Sequence, residues 1–566
     1  MRWLGTVPYR DAHALQHGLF QRSADDHLLL LEHPPVYTLG ARADLANVLV
    51  PPASVGADLV RADRGGDVTF HGPGQLVGYP ILDVPGKRAG GMADTVAYVR
   101  SVQQVIVETL ADLGLPGASC LDRYPGVWLD ADGERPRKIA AIGVRLTRGR
   151  SMHGFALNVS TDLDWFSHIV PCGIADKAVT SLAAEGIDVP MADVVDALVA
   201  RAAERWAPGR PVDRADVAWR LRPDDLSPFS RGEGPGATPR EERRRRVDDT
   251  GVAPVRLRGR LAEAGVGDGI PISARKPDWM RVPLRSTSGS LGLRQTLRDL
   301  DLVTVCEEAG CPNLSECWAD GTATFMINGE RCTRACGFCL VDTRHPEALD
   351  PTEPDRVAEA VDRMGLDHAV VTAVARDDLP DGGAAAFAAT IAAIRGRRPG
   401  TRVEVLIPDC RGDASSLGII FEARPDVLNH NLETVARLQR AVRPSAGYAR
   451  SLSVLARAKA AGLVTKSGLI VGMGETVEEV EGALADIAGV GADIVTIGQY
   501  LRPTANHLPV ARWWAPDELD RLKVVGEAMG IGHVEAAPLA RSSYHAKQAA
   551  AAAPAVRASA PMAREA

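Results

Sequence analysis

The sequence contains no apolar run near the roughly 18 residues that a membrane-spanning helix needs. Its formal net charge is −7, so it lacks the basic footprint of a nucleic-acid-binding protein. The first residues, MRWLGTVPYRDAH, hold neither an apolar signal core nor a small-residue cleavage site, and a secretory signal is not expected. Cysteine is sparse, nine in 566 residues, and nowhere follows the paired C-x2-C spacing of structural zinc. The glycine-rich segment RGGDVTFHGPGQLVGYP (64–80) lacks the Lys-Ser/Thr ending of a phosphate-binding P-loop. These absences point away from membrane and nucleic-acid partners. Free thiols are expected to need a reducing, cytoplasmic setting.

What is present divides the chain in two. The length suggests three or four domains, or fewer if one is a barrel, and 45% hydrophobic content can fill large cores. Residues 227–251, SPFSRGEGPGATPREERRRRVDDTG, are rich in Pro, Gly and charge and nearly free of apolar side chains. They read as a solvated linker. The basic run Arg243, Arg244, Arg245, Arg246 is flanked by Glu241, Glu242, Asp248 and Asp249, and reads as linker charge. The expected domains are 1–226, a linker 227–265, a second domain 266–547, and a disordered Ala/Pro-rich tail 548–566. The first half mixes short strands with a helix near 95–114, an α+β pattern. The second alternates six β-branched runs with helical stretches. That alternation predicts parallel strands with crossover helices in a partial (β/α)6 barrel, its chemistry at the carboxyl ends of the strands.

Six of the nine cysteines lie in two runs: Cys306, Cys311, Cys317 (C-x4-C-x5-C) and Cys332, Cys336, Cys339 (C-x3-C-x2-C). Thiolates packed this densely suit soft metal. C-x3-C-x2-C gives three ligands to a [4Fe-4S] cube and leaves one iron open. The second run follows the first predicted barrel strand, where a cofactor site belongs.

With that placement, the second run resembles the radical S-adenosylmethionine superfamily. TVCEEAGCPNLSECW, RCTRACGFC, VVTAVARDDLPDGG, KSGLIVGMGET, TIGQYLRPT and RSSYHA together resemble lipoyl synthase, from about residue 275 to 546. The resemblance implies two [4Fe-4S] clusters and S-adenosylmethionine, with the auxiliary cluster consumed as sulfur donor. It assigns the missing protein ligand of that cluster to a serine of the RSSY segment, Ser543 ahead of Ser542. Glu404, Asn429 and Arg443 stand where radical enzymes hold the cofactor's ribose and carboxylate. Each equally suits a structural polar residue near a strand end. Ala375 departs from the family's acidic residue before Arg376-Asp377-Asp378, and Ala505-Asn506 from a more basic stretch.

In the first half, Cys172 in IVPCGIADK sits in a Pro-Cys-Gly turn with little bulk around it, as a nucleophile needs. Lys138 opens an apolar strand beside Arg135 and Arg137, where desolvation and neighbouring cations favour a neutral amine. An inert cysteine and a surface lysine would fit these residues as well. With the 64–80 segment, KIAAIGVRL and HGFALNV, however, the half resembles octanoyl-[acyl carrier protein]:protein octanoyltransferase over about residues 1–221. The resemblance implies Cys172 as acyl acceptor and Lys138 as general acid/base. It implies a substrate site from Arg64, Gly65, Gly66, His71, Gly72, Ala141, Ile142, Gly143, His153, Gly154 and Ala156. Two consecutive steps on one target then follow. Octanoyl passes from acyl carrier protein to a lipoyl carrier domain of a 2-oxoacid dehydrogenase or glycine cleavage H protein. Sulfur insertion follows, with electrons from a ferredoxin or flavodoxin. Alternatives are an ATP-dependent lipoate or biotin ligase in the first half. In the second they are another sulfur-inserting enzyme, such as biotin synthase, or an iron–sulfur sensor or electron carrier.

Overall fold

The computed structural model describes residues 1–86, 93–121, 124–173, 177–219, 266, 267, 269–280, 322–504 and 507–552, with 297, 299, 300, 302–304, 313 and 317. The chain forms two compact units, Met1–Trp219 and Arg220–Ala566. The expected linker, 227–265, lies outside the described residues.

The first unit has twelve described strands: β1 (Arg2–Thr6), β2 (His27–Glu32), β3 (Val36–Leu39), β4 (Asp58–Arg61), β5 (Val68–His71), β6 (Gln75–Ile81), β7 (Ser119–Leu121), β8 (Tyr124–Leu129), β9 (Arg137–Thr147), β10 (Arg150–Asn158), β11 (Ala178–Val179) and β12 (Ala215–Asp216). The main sheet runs β12-β1-β2-β6-β10-β9-β8-β7 with β11 on β9, and β4-β3-β5 form a small second sheet. Pro34 and Pro35, which cannot donate to a ladder, separate β2 in one sheet from β3 in the other. Between β9 and β10 the turn residues Arg148 and Gly149 both take positive φ (56° and 81°), the geometry a two-residue hairpin requires. Helices α1 (Tyr9–Arg22), α2 (Thr95–Asp112) and α3 (Met191–Trp206) bury one face each. The helix expected near 95–114 is α2, capped by the Asp94 side chain, which accepts from the Ala97 amide.

In the second unit a short antiparallel strand, β13 (Val303–Thr304), precedes seven parallel strands. These are β14 (Thr322–Ile327), β15 (His368–Ala373), β16 (Arg402–Leu406), β17 (Val427–Asn429), β18 (Thr465–Val471), β19 (Ile494–Gln499) and β20 (His533–Ala537). Each pairs with the next in sequence, giving the curved parallel sheet of a partial barrel. The six strands read from sequence are all present, and β20 extends the run by one. Its HVEAA sequence carries a histidine and a glutamate, which hid it among polar segments. The helices are α4 (Glu353–Arg363), α5 (Ala384–Arg397), α6 (Ala414–Glu422), α7 (Gln439–Val442), α8 (Tyr448–Ala460), α9 (Val477–Gly489), α10 (Pro516–Ala528) and α11 (Ala546–Ala552). Residues 548–552, read as the start of a disordered tail, continue α11, because Ala546 and Ala549 bury against the unit.

Strand alternation sorts side chains into two sets. Phe325, Val371, Val403 and Val405 join the apolar layer shared with Phe387, Ile391 and Leu417 of the helices. The intervening position, Glu404, joins His368, Asn429 and Lys466 in a fully buried polar cluster. Lys466 Nζ donates to Glu404 Oε1 (3.0 Å), Asn429 Nδ2 to the same oxygen (3.3 Å), and His368 Nε2 lies 3.4 Å from Oε2. Burial works against ionising Glu404, but the Lys466 charge and His368 hold its carboxyl below the usual range.

Candidate active sites

The second-unit site begins where β14 ends. Asn328 turns the chain at positive φ (68°), and the cysteine loop follows. The Cys332 amide donates to the Asp342 carbonyl (2.7 Å), and its Sγ accepts from the amides of Arg334 (3.4 Å) and Ala375 (3.3 Å). Arg334 clamps the loop from beneath. It donates to both oxygens of Asp377 (2.7 Å each) and to Asp409 (2.6 Å), which is fully buried. This bidentate geometry fixes direction as well as charge. Ala375, noted as a departure from the family pattern, contributes through its backbone. Its amide meets Cys332, and its carbonyl accepts from Thr333.

Gly337 donates to the Val442 carbonyl (2.8 Å) and accepts from the Leu508 amide (3.0 Å); a Cβ there would strike the Leu508 side chain. Buried His507 bridges Thr504 Oγ1 (2.8 Å) and the Cys339 carbonyl (3.0 Å). The loop is thus held by backbone and by charge before any metal is considered. Burial pushes the Cys332 thiol up to about 11 and raises Cys339 further, and nearby Cys336 raises both. Thiols crowded in this way give up their protons to a metal.

The surrounding polar atoms fit a cluster with S-adenosylmethionine. Asn429 Oδ1, Asn431 Oδ1 and Arg443 Nε are buried without partners, an expensive state unless a ligand meets them. Arg443 otherwise donates to the carbonyls of Asn431 (3.0 Å) and Leu432 (3.1 Å). Of the three expected cofactor contacts, Asn429 and Arg443 each retain an open polar atom. Glu404 has both carboxylate oxygens engaged by the lysine, asparagine and histidine of the buried cluster.

Cys306 and Cys311 lie outside the described residues. Cys317 donates its amide to the Asn313 carbonyl (3.0 Å), and Asn313 Nδ2 donates to the Leu539 carbonyl (2.6 Å). These two bonds link Cys317 to the segment that runs on to Ser542 and Ser543. Ser542 Oγ accepts from Asn431 Nδ2 (2.7 Å), so that hydroxyl is engaged. Asn431 and Glu433 were missed in the sequence. Glu433 sits at positive φ (68°), accepts from Asn431 Nδ2 (3.0 Å), and has its carboxyl raised by burial against the opposing pull of Arg443. The run His430-Asn431-Leu432-Glu433 right after a barrel strand was the available signal.

In the first unit the glycine-rich loop folds over β9. The Gly65 amide donates to the Val144 carbonyl (3.1 Å), and Gly66 takes a positive φ (93°). Gly143 of β9 pairs with Gly154 of β10, Ile142 with Phe155 and Ala141 with Ala156, so these expected substrate residues share one sheet region, while His71 lies on β5 of the small sheet. At Gly143 a Cβ would meet Gly65 O at 3.1 Å and Arg64 Cδ at 3.3 Å, a tight contact that a side chain could make only if the loop gave by a few tenths of an ångström. Arg64 is buried and grips Thr38 through Nε (3.1 Å to Oγ1) and Nη2 (2.6 Å to the carbonyl).

Lys138 is buried, with Nζ 4.7 Å from the centre of the Trp128 ring. Arg137, expected to act on it as a neighbouring cation, points to the opposite face of β9. There it is held bidentately by Glu185 (2.7 Å each), so its charge is spent. Cys172 lies in the short helical turn Pro171–Gly173. Seven residues on, Val179 pairs with Lys138, and Thr180 N donates to the Lys138 carbonyl (2.9 Å). A buried polar chain continues from there. Asn158 Nδ2 donates to the Thr180 carbonyl (2.9 Å), Gln75 Nε2 to Asn158 Oδ1 (2.9 Å), and His71 Nδ1 lies 2.8 Å from Gln75 Oε1. Burial, with the nearby His33 and Arg64, lowers the His71 ring well below its usual range and keeps it neutral.

The sequence reading also missed Asp63, His13 and His17. Asp63 precedes the glycine-rich loop and gathers His153 (2.7 Å), His13 (3.2 Å), His17 (3.6 Å) and Arg145. Two histidines four apart in AHALQH were the signal for a shared helix face.

Comparison with known proteins matches each unit to a different family. Residues 8–203 match the lipoyl protein ligase A/B catalytic domain, and residues 326–487 match the radical SAM superfamily. A lipoyl synthase of Rubrobacter xylanophilus is 55% identical over 275 residues, covering 48% of this chain and 86% of that protein. One from Mycobacterium ulcerans is 54% identical over 272 residues, 48% and 84% of the two chains. Among solved structures, a bipartite lipoate protein ligase studied with its E2 lipoyl domain from Thermoplasma acidophilum aligns with 38% of this chain and 86% of its own (TM-score 0.32, 20% identity). Streptococcus suis SuiB bound to S-adenosylmethionine aligns with 42% of this chain and 51% of its own (TM-score 0.31, 11% identity). Among the described residues no helix is long and apolar enough to cross a membrane.

Proposed function

Because this chain belongs to the lipoyl synthase family through its second unit, and carries a lipoyl protein ligase A/B catalytic domain ahead of it, we propose that one polypeptide performs two consecutive steps of protein lipoylation. The first unit moves octanoyl from acyl carrier protein to a lysine of a lipoyl carrier domain. The second inserts two sulfurs into that octanoyl chain. What carries the reading is the Cys332–Cys339 loop at the carboxyl end of β14, in a chain 55% identical to a lipoyl synthase over 86% of that protein.

In the first step the Cys172 sulfur attacks the thioester carbonyl of octanoyl-acyl carrier protein. A new C–S bond forms as the bond to the phosphopantetheine sulfur breaks, and Lys138 carries the thiol proton to the leaving sulfur. The carrier-domain lysine then attacks the Cys172 thioester. As the C–N bond forms and the C–S bond breaks, Lys138 takes the amine proton and passes it to the Cys172 sulfur, which leaves as a thiol. Thioester exchange is nearly balanced, and amide formation draws it forward. The packing of Gly65 and Gly66 over Gly143 supports this role by offering backbone, not side chain, to the acyl group. The buried chain from Lys138 through Thr180, Asn158 and Gln75 to His71 supports it by holding both ends in register.

In the second unit Cys332, Cys336 and Cys339 hold one cluster and, with Asn429 and Arg443, S-adenosylmethionine. Cys306, Cys311, Cys317 and Ser543 hold the other. When bound, these groups supply the reducing electron, the radical source and the sulfur. The chain's part is positional. Arg334 fixes the cysteine loop, Asn313 links Cys317 to the Ser543 segment, and engagement of Ser542 by Asn431 favours Ser543 as the ligand. Residues 227–265 tether the domains 1–226 and 266–547. Carrying both sites on one chain raises the local concentration of the second site for the octanoylated carrier domain.

The matched family also covers lipoate ligase A, so an ATP-dependent ligase is the competing reading of the first unit. Anaerobic protein given octanoyl-acyl carrier protein and a lipoyl carrier domain, without ATP, is expected to octanoylate the carrier through a trapped Cys172 thioester. Adding reductant and S-adenosylmethionine should then increase the carrier mass by two sulfurs less two hydrogens. Cys172→Ala should lose the first product and still cleave S-adenosylmethionine. A requirement for ATP, or transfer surviving in Cys172→Ala, would refute the transferase reading.

A further inference from the structure

The first unit holds a second constellation, built around His153 from residues of which the other three have no part in the acyl-transfer reading. His13 and His17 lie four residues apart on α1, so both rings project from one helix face. His153 comes from β10, and Asp63 from the loop after β4. The Nε2 atoms of all three histidines converge on one carboxylate. His153 is 2.7 Å and His13 3.2 Å from Oδ1, and His17 is 3.6 Å from Oδ2. Among the described residues His13, Asp63 and His153 have ligand atoms all within 4.8 Å of one another. The rings of His13 and His17 lie 4.6 Å apart, and those of His13 and His153 5.6 Å.

We propose that His13, His17, His153 and Asp63 form a binding site for a divalent transition metal of the zinc class. Three imidazole nitrogens and one carboxylate oxygen are a donor set that zinc accepts in tetrahedral geometry, and one that selects against the all-oxygen ions calcium and magnesium. Zinc–ligand bonds of about 2.0–2.1 Å place ligands roughly 3.4 Å apart. The carboxylate-to-imidazole separations here, 2.7–3.6 Å, already bracket that value. Side chains of His13, His17 and Asp63 are each about a third exposed, which gives an ion a path in, while His153 is 1% exposed and sets the floor.

Arg145 is the competitor. Its guanidinium pairs with Asp63 and occupies the charge an ion would use. It is 41% exposed, so it can swing into solvent as metal enters. Zinc at this point ties α1 to β10 and to the loop that continues directly into Arg64, Gly65 and Gly66. The site therefore braces the loop that carries Arg64, Gly65 and Gly66 without supplying a reacting group.

The test uses the full chain, its iron–sulfur sites loaded anaerobically, titrated with zinc against a chromophoric chelator. Any zinc taken by vacant cysteines appears equally in every variant and cancels in the difference. Wild type should hold one zinc per chain that H13Q/H17Q does not, with affinity falling more than about tenfold for each imidazole removed. R145Q should bind zinc more tightly than wild type, an outcome that a purely structural ion-pair cluster would not give. Equal zinc content and affinity in wild type and H13Q/H17Q overturns the proposal. If the double variant fails to fold, the single change H17Q, at a side chain about a third exposed, is read by the same titration, with the same two outcomes.

Discussion

At the scale of single residues, the buried cluster around Glu404 makes the sharpest demand. A carboxylate and an ammonium with no solvent contact survive only because each satisfies the other. Lys466→Met strands Glu404, and the second unit should lose about 3–5 kcal/mol of stability in chemical denaturation. Glu404→Gln in the same chain should recover part of that loss, and equal stability of Lys466→Met and wild type would show the pair to be dispensable. The two serines give a second residue-level contrast. Ser543→Ala should lower iron by about four per chain, one cube. Ser542→Ala, which removes only the bond from Asn431, should retain its iron in an anaerobic iron assay.

At the scale of elements, positions without side chains decide how segments approach. A Cβ at Gly498 of β19 would collide with the Ala540 carbonyl, three residues before Ser543. Gly498→Ala should therefore displace the Ser543 segment while leaving the Cys332–Cys339 loop on β14 in place. Sulfur insertion should fall by on the order of 100-fold, as a displacement near 1 Å costs, with cleavage of S-adenosylmethionine nearly unchanged. Equal loss of both activities, measured as 5′-deoxyadenosine and lipoylated product, would contradict this separation. The same elements show what was legible. The alternation of β-branched runs with helices gave the parallel barrel, because a strand buried on both faces must be apolar nearly throughout. β20 escaped because its edge position tolerates His533 and Glu535, and α11 escaped because low-complexity alanine reads as tail until something buries it.

At the scale of the whole molecule, each unit carries its own core and its own dependence on solution conditions. In the first, buried His33 donates from Nδ1 to Val7 O (2.7 Å), its Nε2 lies 2.7 Å from Tyr79 Oη, and burial lowers its ring to about 4. The unfolded chain takes up this proton near pH 6.5, and the folded unit refuses it until about pH 4. Stability is therefore full above about pH 6.5 and falls as pH drops through that window, by on the order of 3 kcal/mol. His71 and His153, also lowered by burial, act in the same direction. Urea midpoints of the first unit between pH 7 and pH 4.5 should show the slope, and His33→Gln should flatten it; an unchanged slope would assign the effect elsewhere.

The sequence by itself determined the two halves, the cysteine spacing and the residue types each chemistry needs, because periodicity and ligand spacing are local properties of the chain. Only the tertiary structure decided which groups share a site. Arg137 turns away from Lys138 to Glu185, Glu404 is taken up by Lys466, and Ser542 by Asn431. Asp63 collects three histidines from a helix and a strand. Partners 46 to 111 positions apart cannot be inferred from spacing; they meet because burial of the apolar layers fixes strand register, and register leaves each polar side chain few groups within reach.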